Sequence, residues 1–199
     1  MELYGIFPIA VGKYVFERNF NEDELNFVLN AKIKENKSNL ISEDYYILDN
    51  KPLQHIKTFF QISVLQFIQK VYNPAYKIRC KFTQSWINYS ERNQSHHYHT
   101  HPNSFLSGVF YIQSDKSTAP LNFHVIIPPL IEIASNEHTP FSSGMRSFEA
   151  EEKVLYLFPS YLPHSVSKNE SDKTRISISF NTFITGTIGE KRGLTELEL

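Results

Sequence analysis

The chain has 199 residues, close to the ~100–200 of one domain, so a single unit with its own core is expected over 1–199. Lys and Arg number 20 against 21 Asp and Glu, a net charge of −1, which argues against a protein that grips nucleic acid through bulk charge. With 41% hydrophobic and 21% charged residues it reads as a folded domain, and its one cysteine, Cys80, excludes an intramolecular disulfide and points to a reducing, cytoplasmic setting.

The opening MELYGIFPIAVGKY has no basic leader followed by a long apolar run, and no stretch approaches the ~18 apolar residues of a spanning helix. Residues 1–75 read as mainly helical support. Asn21 with Glu24 three residues on is a capping-box pair, and Leu25, Val28, Leu29 and Ile33 follow at helical spacing, acids early and lysines late. A second helix is expected from about Pro52 to Tyr72, with Ile56, Phe59, Phe60, Val64, Phe67, Ile68 and Val71 as its apolar stripe and Asn73-Pro74 as its stop.

From Tyr76 the pattern changes. KIRCKFTQSWINYS, FLSGVFYIQS, LNFHVII, KVLYLFP and RISISFNTFI read as strands with no helices between them, so the sheet should be antiparallel. The predicted fold is α+β, a jelly-roll core over 76–185 with the N-terminal helices packed on one sheet. The stretch 128–152 is expected to be a mobile loop over a site, and 186–199 a trailing tail.

Four of the eight histidines lie in HHYHTH, residues 96–101. On an extended strand side chains alternate, so His99 and His101 can meet on one ion, and so can His97 and His99. His164 follows a strongly apolar strand at a corner flanked by Pro159 and Pro163, and is a candidate third ligand. Alternation along TRISISFN puts Arg175, Ser177, Ser179 and Asn181 on one face. That face is either the solvent side of a half-buried sheet or a carboxylate cradle built on a guanidinium fork and a hydroxyl.

The order H-x-H, a long gap, His, then Arg-x-Ser resembles the iron(II)/2-oxoglutarate-dependent oxygenases. SWIN (85–88), HTHPNSFLSGVFY (99–111), LFPSYLPHSV (157–166) and RISISFN (175–181) are similar to the motifs of a 2OG-Fe(II) oxygenase group common in phages and marine bacteria, as is the opening IFPIAVGKY. The resemblance implies a double-stranded β-helix, cupin-like, with Fe(II) and 2-oxoglutarate as cofactors, O2 as co-substrate and hydroxylation of an unidentified primary substrate. It places His99, His101 and His164 on the metal and Arg175 on the far carboxylate of 2-oxoglutarate. Ser177 would assist Arg175, and Asn88 and Tyr111 would be further cofactor contacts. Where the superfamily has a carboxylate ligand this chain has His101, so the set would be three imidazoles. A phage-encoded protein of this kind would work in the host cytoplasm. Two other readings fit the same residues: a cupin-like three-histidine metalloprotein without 2-oxoglutarate, and a non-catalytic phage jelly-roll binding module. A homo-oligomer is left open by the sequence, and nothing in it suggests a membrane.

Overall fold

A computed structural model describes residues 1–115, 118–127, 131 and 133–199. In chain order its elements are β1 (Gly12–Val15), α1 (Glu22–Leu29), β2 (Ile33–Glu35), β3 (Leu40–Ser42), α2 (Gln54–Tyr72), β4 (Arg79–Ser90), β5 (His96–His99), β6 (Leu106–Gln113), β7 (Leu121–His124), β8 (Met145–Phe148), β9 (Val154–Pro159), β10 (His164–Val166), β11 (Arg175–Thr185), β12 (Thr187–Ile188) and β13 (Leu197–Glu198). A seven-stranded sheet has the order β1-β9-β6-β11-β4-β3-β2, and a four-stranded sheet the order β5-β10-β7-β8. All the pairings between named strands are antiparallel. This is the expected α+β double-stranded β-helix.

The helices form for legible reasons. Asn21 Oδ1 accepts the Glu24 N–H at 2.8 Å, and Glu24 Oε2 accepts the Asn21 N–H at 2.9 Å, closing the capping box. That helix is shorter than its spacing suggested: it ends at Leu29, Ile33 opens β2, and no basic residue lies in its last turn. Helix α2 begins at Gln54, after a short 3-10 turn at Lys51–Leu53, and stops where Asn73 takes the left-handed conformation (φ 43°) ahead of Pro74. Its stripe is buried at Ile56, Phe60, Val64, Phe67 and Ile68, with Phe59 half-buried and Val71 in the last turn exposed.

The large sheet is covered on both faces, which explains the near-continuous burial of VLYLFP in β9. Toward α2 it presents Ile87, Phe110, Ile112, Leu155, Leu157, Ile176, Ile178 and Phe180, in one core with Ile56, Phe60, Val64 and Phe67. Phe60 stacks on Phe180 with centroids 4.7 Å apart and meets Phe110 edge-on at 5.1 Å. Toward the small sheet it presents Tyr111, Val154, Tyr156 and Phe158, which pack with Leu121 and Phe123. Strand alternation alone separates the two sets.

Other sequence expectations are corrected here. The N-terminal third also contributes strands: β1 pairs with β9 at one edge of the large sheet and β3 pairs with β4 near the other. Of the loop expected over 128–152, residues 128–130 and 132 lie outside the described residues, and its end forms β8, paired with β7. The tail folds back as the ribbon β12–β13, where Gly186 (φ 110°) and Leu199 exchange backbone hydrogen bonds. Among the described residues no helix is long and apolar enough to cross a membrane.

Gly108 on β6 marks the tightest approach in the core. A Cβ there would lie 2.3 Å from Cζ of Phe180, whose ring is held between Phe60 and Phe82. Gly108→Ala should therefore cost about 1–3 kcal/mol of stability, the usual range for overpacking. Urea unfolding followed by far-ultraviolet circular dichroism measures it, and an unchanged midpoint would show that Phe180 has room to move.

Candidate metal and cofactor site

Between the two sheets lies a small cavity of about 40 Å³, and His99, His101, His164, Asn88, Tyr111, Arg175 and Ser177 all line it. The residues that the resemblance places on the metal and on 2-oxoglutarate therefore border one space, while His97, the alternative ligand, does not. The sheets supply them by alternation: Asn88 from β4, Tyr111 from β6, and Arg175 and Ser177 from β11 face opposite to the core residues beside them. The polar face of β11 is not a solvent face. Arg175, Ser177 and Ser179 are all buried.

The histidines converge through an irregularity in β5. Its register against β10 pairs His99 with His164 but His96 with Val166, so three residue steps on β5 match two on β10. Such a bulge resets the alternation. His96, three residues before His99, lines the cavity with it, while His97 is exposed. His101 follows the strand, and its backbone N–H donates to Ser160 O at 2.9 Å. One ligand atom from each of His99, His101 and His164 lies within 4.8 Å of the others, and Nε2 of His101 is 3.1 Å from Nε2 of His164.

That geometry suits a cation. The His164 Nδ1 faces Leu162 O at 3.0 Å and the His99 Nδ1 faces His97 O at 2.8 Å. A carbonyl only accepts, so each Nδ1 carries the proton and each Nε2 keeps its lone pair. Two imidazole nitrogens bound at ~2.0–2.1 Å and at right angles on a first-row metal sit ~3 Å apart, close to the separation of His101 and His164. Burial, reinforced by the neighbouring imidazoles, pushes His101 down to about 3 and His164 down to about 4; Asn181 opposes the shift at His101 through a side-chain hydrogen bond. His99 is lowered as well, mainly by burial. All three rings are thus neutral near pH 7, the form that ligates.

Further into the cavity Arg175 is 3% exposed. One terminal nitrogen donates to Ala119 O and the other to Ser90 Oγ, both at 3.0 Å. Among the described residues its Nε has no hydrogen-bond partner, and neither has the fully buried hydroxyl of Tyr111. No ion pair among the described residues includes Arg175. Burying a guanidinium with only neutral partners costs several kcal/mol. An anion at this end of the cavity would offset that cost and satisfy both orphaned groups, so the residues fit a carboxylate ligand.

Sequence reading missed several members of the site. The hydroxyl that holds the guanidinium belongs to Ser90, the register partner of Arg175 across β4 and β11, and Ala119 supplies the carbonyl. Asn88 is tied to protein groups: its Oδ1 accepts from Trp86 Nε1 at 3.2 Å and its Nδ2 donates to Ser179 Oγ at 2.9 Å. Trp86 lines the cavity and stacks on the His101 ring, centroids 6.0 Å apart. Period-two counting back from Asn88 would have found Trp86 on the same face; His96 lies in HHYHTH but strict alternation turns it away from His99, and nothing in the sequence signals Ala119.

Comparison with known proteins agrees with this geometry. Residues 84–181 match the model of a family described as "Putative 2OG-Fe(II) oxygenase". No curated protein sequence matches the chain. Among solved structures the chain is similar to HygX from Streptomyces hygroscopicus, determined with nickel, 2-oxoglutarate and hygromycin B, at 11% identity and TM-score 0.59 over 87% of this chain and 82% of that one. It is also similar to a Pseudomonas putida prolyl-4-hydroxylase, at 11% identity and TM-score 0.55 over 87% and 92%. A 2OG-Fe(II) oxygenase-family oxidoreductase from Burkholderia pseudomallei aligns at 8% identity and TM-score 0.55 over 85% and 92%. The identities speak for the fold, and the family match spans all four motif segments of the site. The match places residues 84–181 among the iron(II)/2-oxoglutarate-dependent oxygenases, enzymes whose cofactors are Fe(II) and 2-oxoglutarate.

Proposed function

We propose that His99, His101 and His164 hold the iron through Nε2, and that Arg175 binds the distal carboxylate of 2-oxoglutarate. The observation that carries this is the pairing, in one cavity, of three converging neutral imidazoles with a buried guanidinium whose Nε has no partner among the described residues. When bound, iron(II) with 2-oxoglutarate and O2 supplies the oxidant that hydroxylates a substrate C–H bond, with succinate and carbon dioxide as the co-products.

The chain's own part is to bind, orient and exclude water. Arg175 Nε and the Tyr111 hydroxyl offer donors to the carboxylate, while Ser90 and Ala119 hold the guanidinium in place. Ser177, buried one alternation nearer the histidines, adds a hydroxyl to the same wall. Tyr156 and Phe158 from the large sheet pack against Leu121 and Phe123 from the small one and close the inner faces to solvent. An apolar, water-poor setting strengthens each polar contact inside it. The lone cysteine, Cys80, is free, which supports a reducing, cytoplasmic setting. The cupin-like and binding-module readings give Arg175 no anion to meet and leave its burial without a purpose.

Three measurements test this reading. Arg175→Lys keeps the charge but loses the planar fork, so 2-oxoglutarate binding should weaken by ~1.5–3 kcal/mol while metal content stays near wild type. Calorimetric titration of the metal-loaded protein reads both, and a wild type that binds no 2-oxoglutarate would return the site to the cupin-like alternative. His97→Ala should leave metal content intact and His99→Ala should abolish it, because only the latter faces the cavity; elemental analysis showing the reverse pattern would shift the ligand set by two residues. A neutral His101 leaves the iron(II) site, with 2-oxoglutarate as a dianion, net neutral rather than −1. Iron-loaded His101→Asp should then form succinate faster than wild type without primary substrate, at equal occupancy. Fast wild-type turnover beside an inactive His101→Asp would show that the third imidazole is the productive ligand.

A further inference from the structure

The histidine run holds two imidazoles outside the proposed ligand set, His96 and His97. The bulge in β5 sends them to opposite sides, His96 half-buried against the cavity and His97 exposed. Both rings nevertheless touch His99. The His96 centroid lies 4.7 Å from that of His99 and 4.9 Å from that of His97, and His97 and His99 are 5.0 Å apart. The inner rings are spaced alike. His99 and His101 are separated by 4.9 Å, His101 and His164 by 5.0 Å, and His99 and His164 by 4.2 Å. On a shared first-row ion each imidazole centroid lies ~3.2 Å from the metal, so two centroids sit ~4.5–5.2 Å apart between right-angled and tetrahedral arrangements. The five rings thus form two triangles at ligand spacing that share His99, one open to solvent and one buried.

The triangles differ in how far their nitrogens converge. Among the described residues only His99, His101 and His164 bring one ligand atom each within 4.8 Å of the others. The outer rings are looser, yet His96 keeps an open nitrogen. Asn39 Nδ2 donates to Leu40 O at 3.1 Å, which leaves its Oδ1 as the atom 3.3 Å from His96 Nδ1. An amide oxygen only accepts, so His96 Nδ1 carries the proton and Nε2 the lone pair. The Nδ1 of His99 is held by His97 O at 2.8 Å, so its Nε2 is the lone pair common to both triangles.

A buried metal site requires an entry path. The cavity, about 40 Å³, admits a few waters at most, so an ion cannot arrive with its full hydration shell. Waters must be exchanged for protein ligands on the way in, and exposure falls along the rings in the order that exchange requires. His97 is exposed, His96 and His99 are half-buried, and His164 is 4% exposed. We propose that His96 and His97 form an outer, transient site for the divalent metal ion, and that His99 passes the ion inward to His101 and His164. A loosely converging pair suits that role, because an outer site as tight as the inner one would retain the ion. The inference rests on the three-imidazole reading above.

The test follows Co(II) entering metal-free protein in a stopped-flow fluorimeter. Trp86 is the one tryptophan and stacks on His101, so its quenching reports arrival at the inner site. His97→Ala should slow arrival by about tenfold, equivalent to about 1.4 kcal/mol of barrier. Release to a chelator should slow by the same factor, leaving Kd unchanged, because a group that acts only on the barrier acts on both directions. His96→Phe keeps a ring but loses the ligand and should behave alike. The double variant should be no slower than either single one, since both residues act on one ion. Unchanged rates in either single variant would overturn the proposal while leaving the inner site standing. A raised Kd with faster release in His97→Ala would overturn it as well, by making His97 a resident ligand. A wild type that takes up no Co(II) would instead remove the reading on which the proposal is built.

Discussion

Strand β11 has no free face. Ile176, Ile178 and Phe180 must meet helix α2, so Arg175, Ser177 and Ser179 are turned by alternation into the space between the sheets. A guanidinium in that position is buried whether or not anything binds it. Its two terminal nitrogens find Ala119 O and Ser90 Oγ, and its Nε remains open. The apolar packing on one side of the sheet thus creates the polar demand on the other, which the proposed carboxylate ligand would meet.

The metal end depends on the fold differently. His99 is on the edge strand of the small sheet, His164 on the strand beside it, and His101 in the connection that leads to the large sheet. None of the three rings is made neutral by a special group. Burial does most of it, and crowding of like groups adds the rest. Nδ1 of two rings is satisfied by local carbonyls, which leaves the Nε2 atoms as the inward-facing bases.

The two ends are joined by the walls of β4 and β6. Asn88 ties Trp86, on the His101 side, to Ser179 on β11. Tyr111 faces the cavity with an unpartnered hydroxyl, next to the register partners of Arg175's strand. Displacing one wall therefore moves ligands at both ends, which suits a chemistry that requires metal and co-substrate in fixed relation.

Local chemistry was enough for the sequence to determine much of this protein. The capping box at Asn21 and Glu24, the stripe on α2 and its stop at Asn73, and the alternation of β11 each depend on neighbours within a few residues. So the helices, the antiparallel core strands and the facing of Arg175 and Ser177 were legible, and the ordered motifs named the ligand candidates. Ile33 shows the limit of periodicity: its spacing fits a helix, but pairing with Ser42 makes it a strand. Tertiary structure alone decided between His97 and His96 as the residue that shares the cavity with His99. Strict alternation favours His97, but a bulge against β10 adds one residue and turns His96 inward. It also decided that Ser90 and Ala119 hold Arg175. These partners lie 56 to 85 residues from Arg175. Such contacts arise only when strands distant in the chain register side by side, and no local pattern encodes that register.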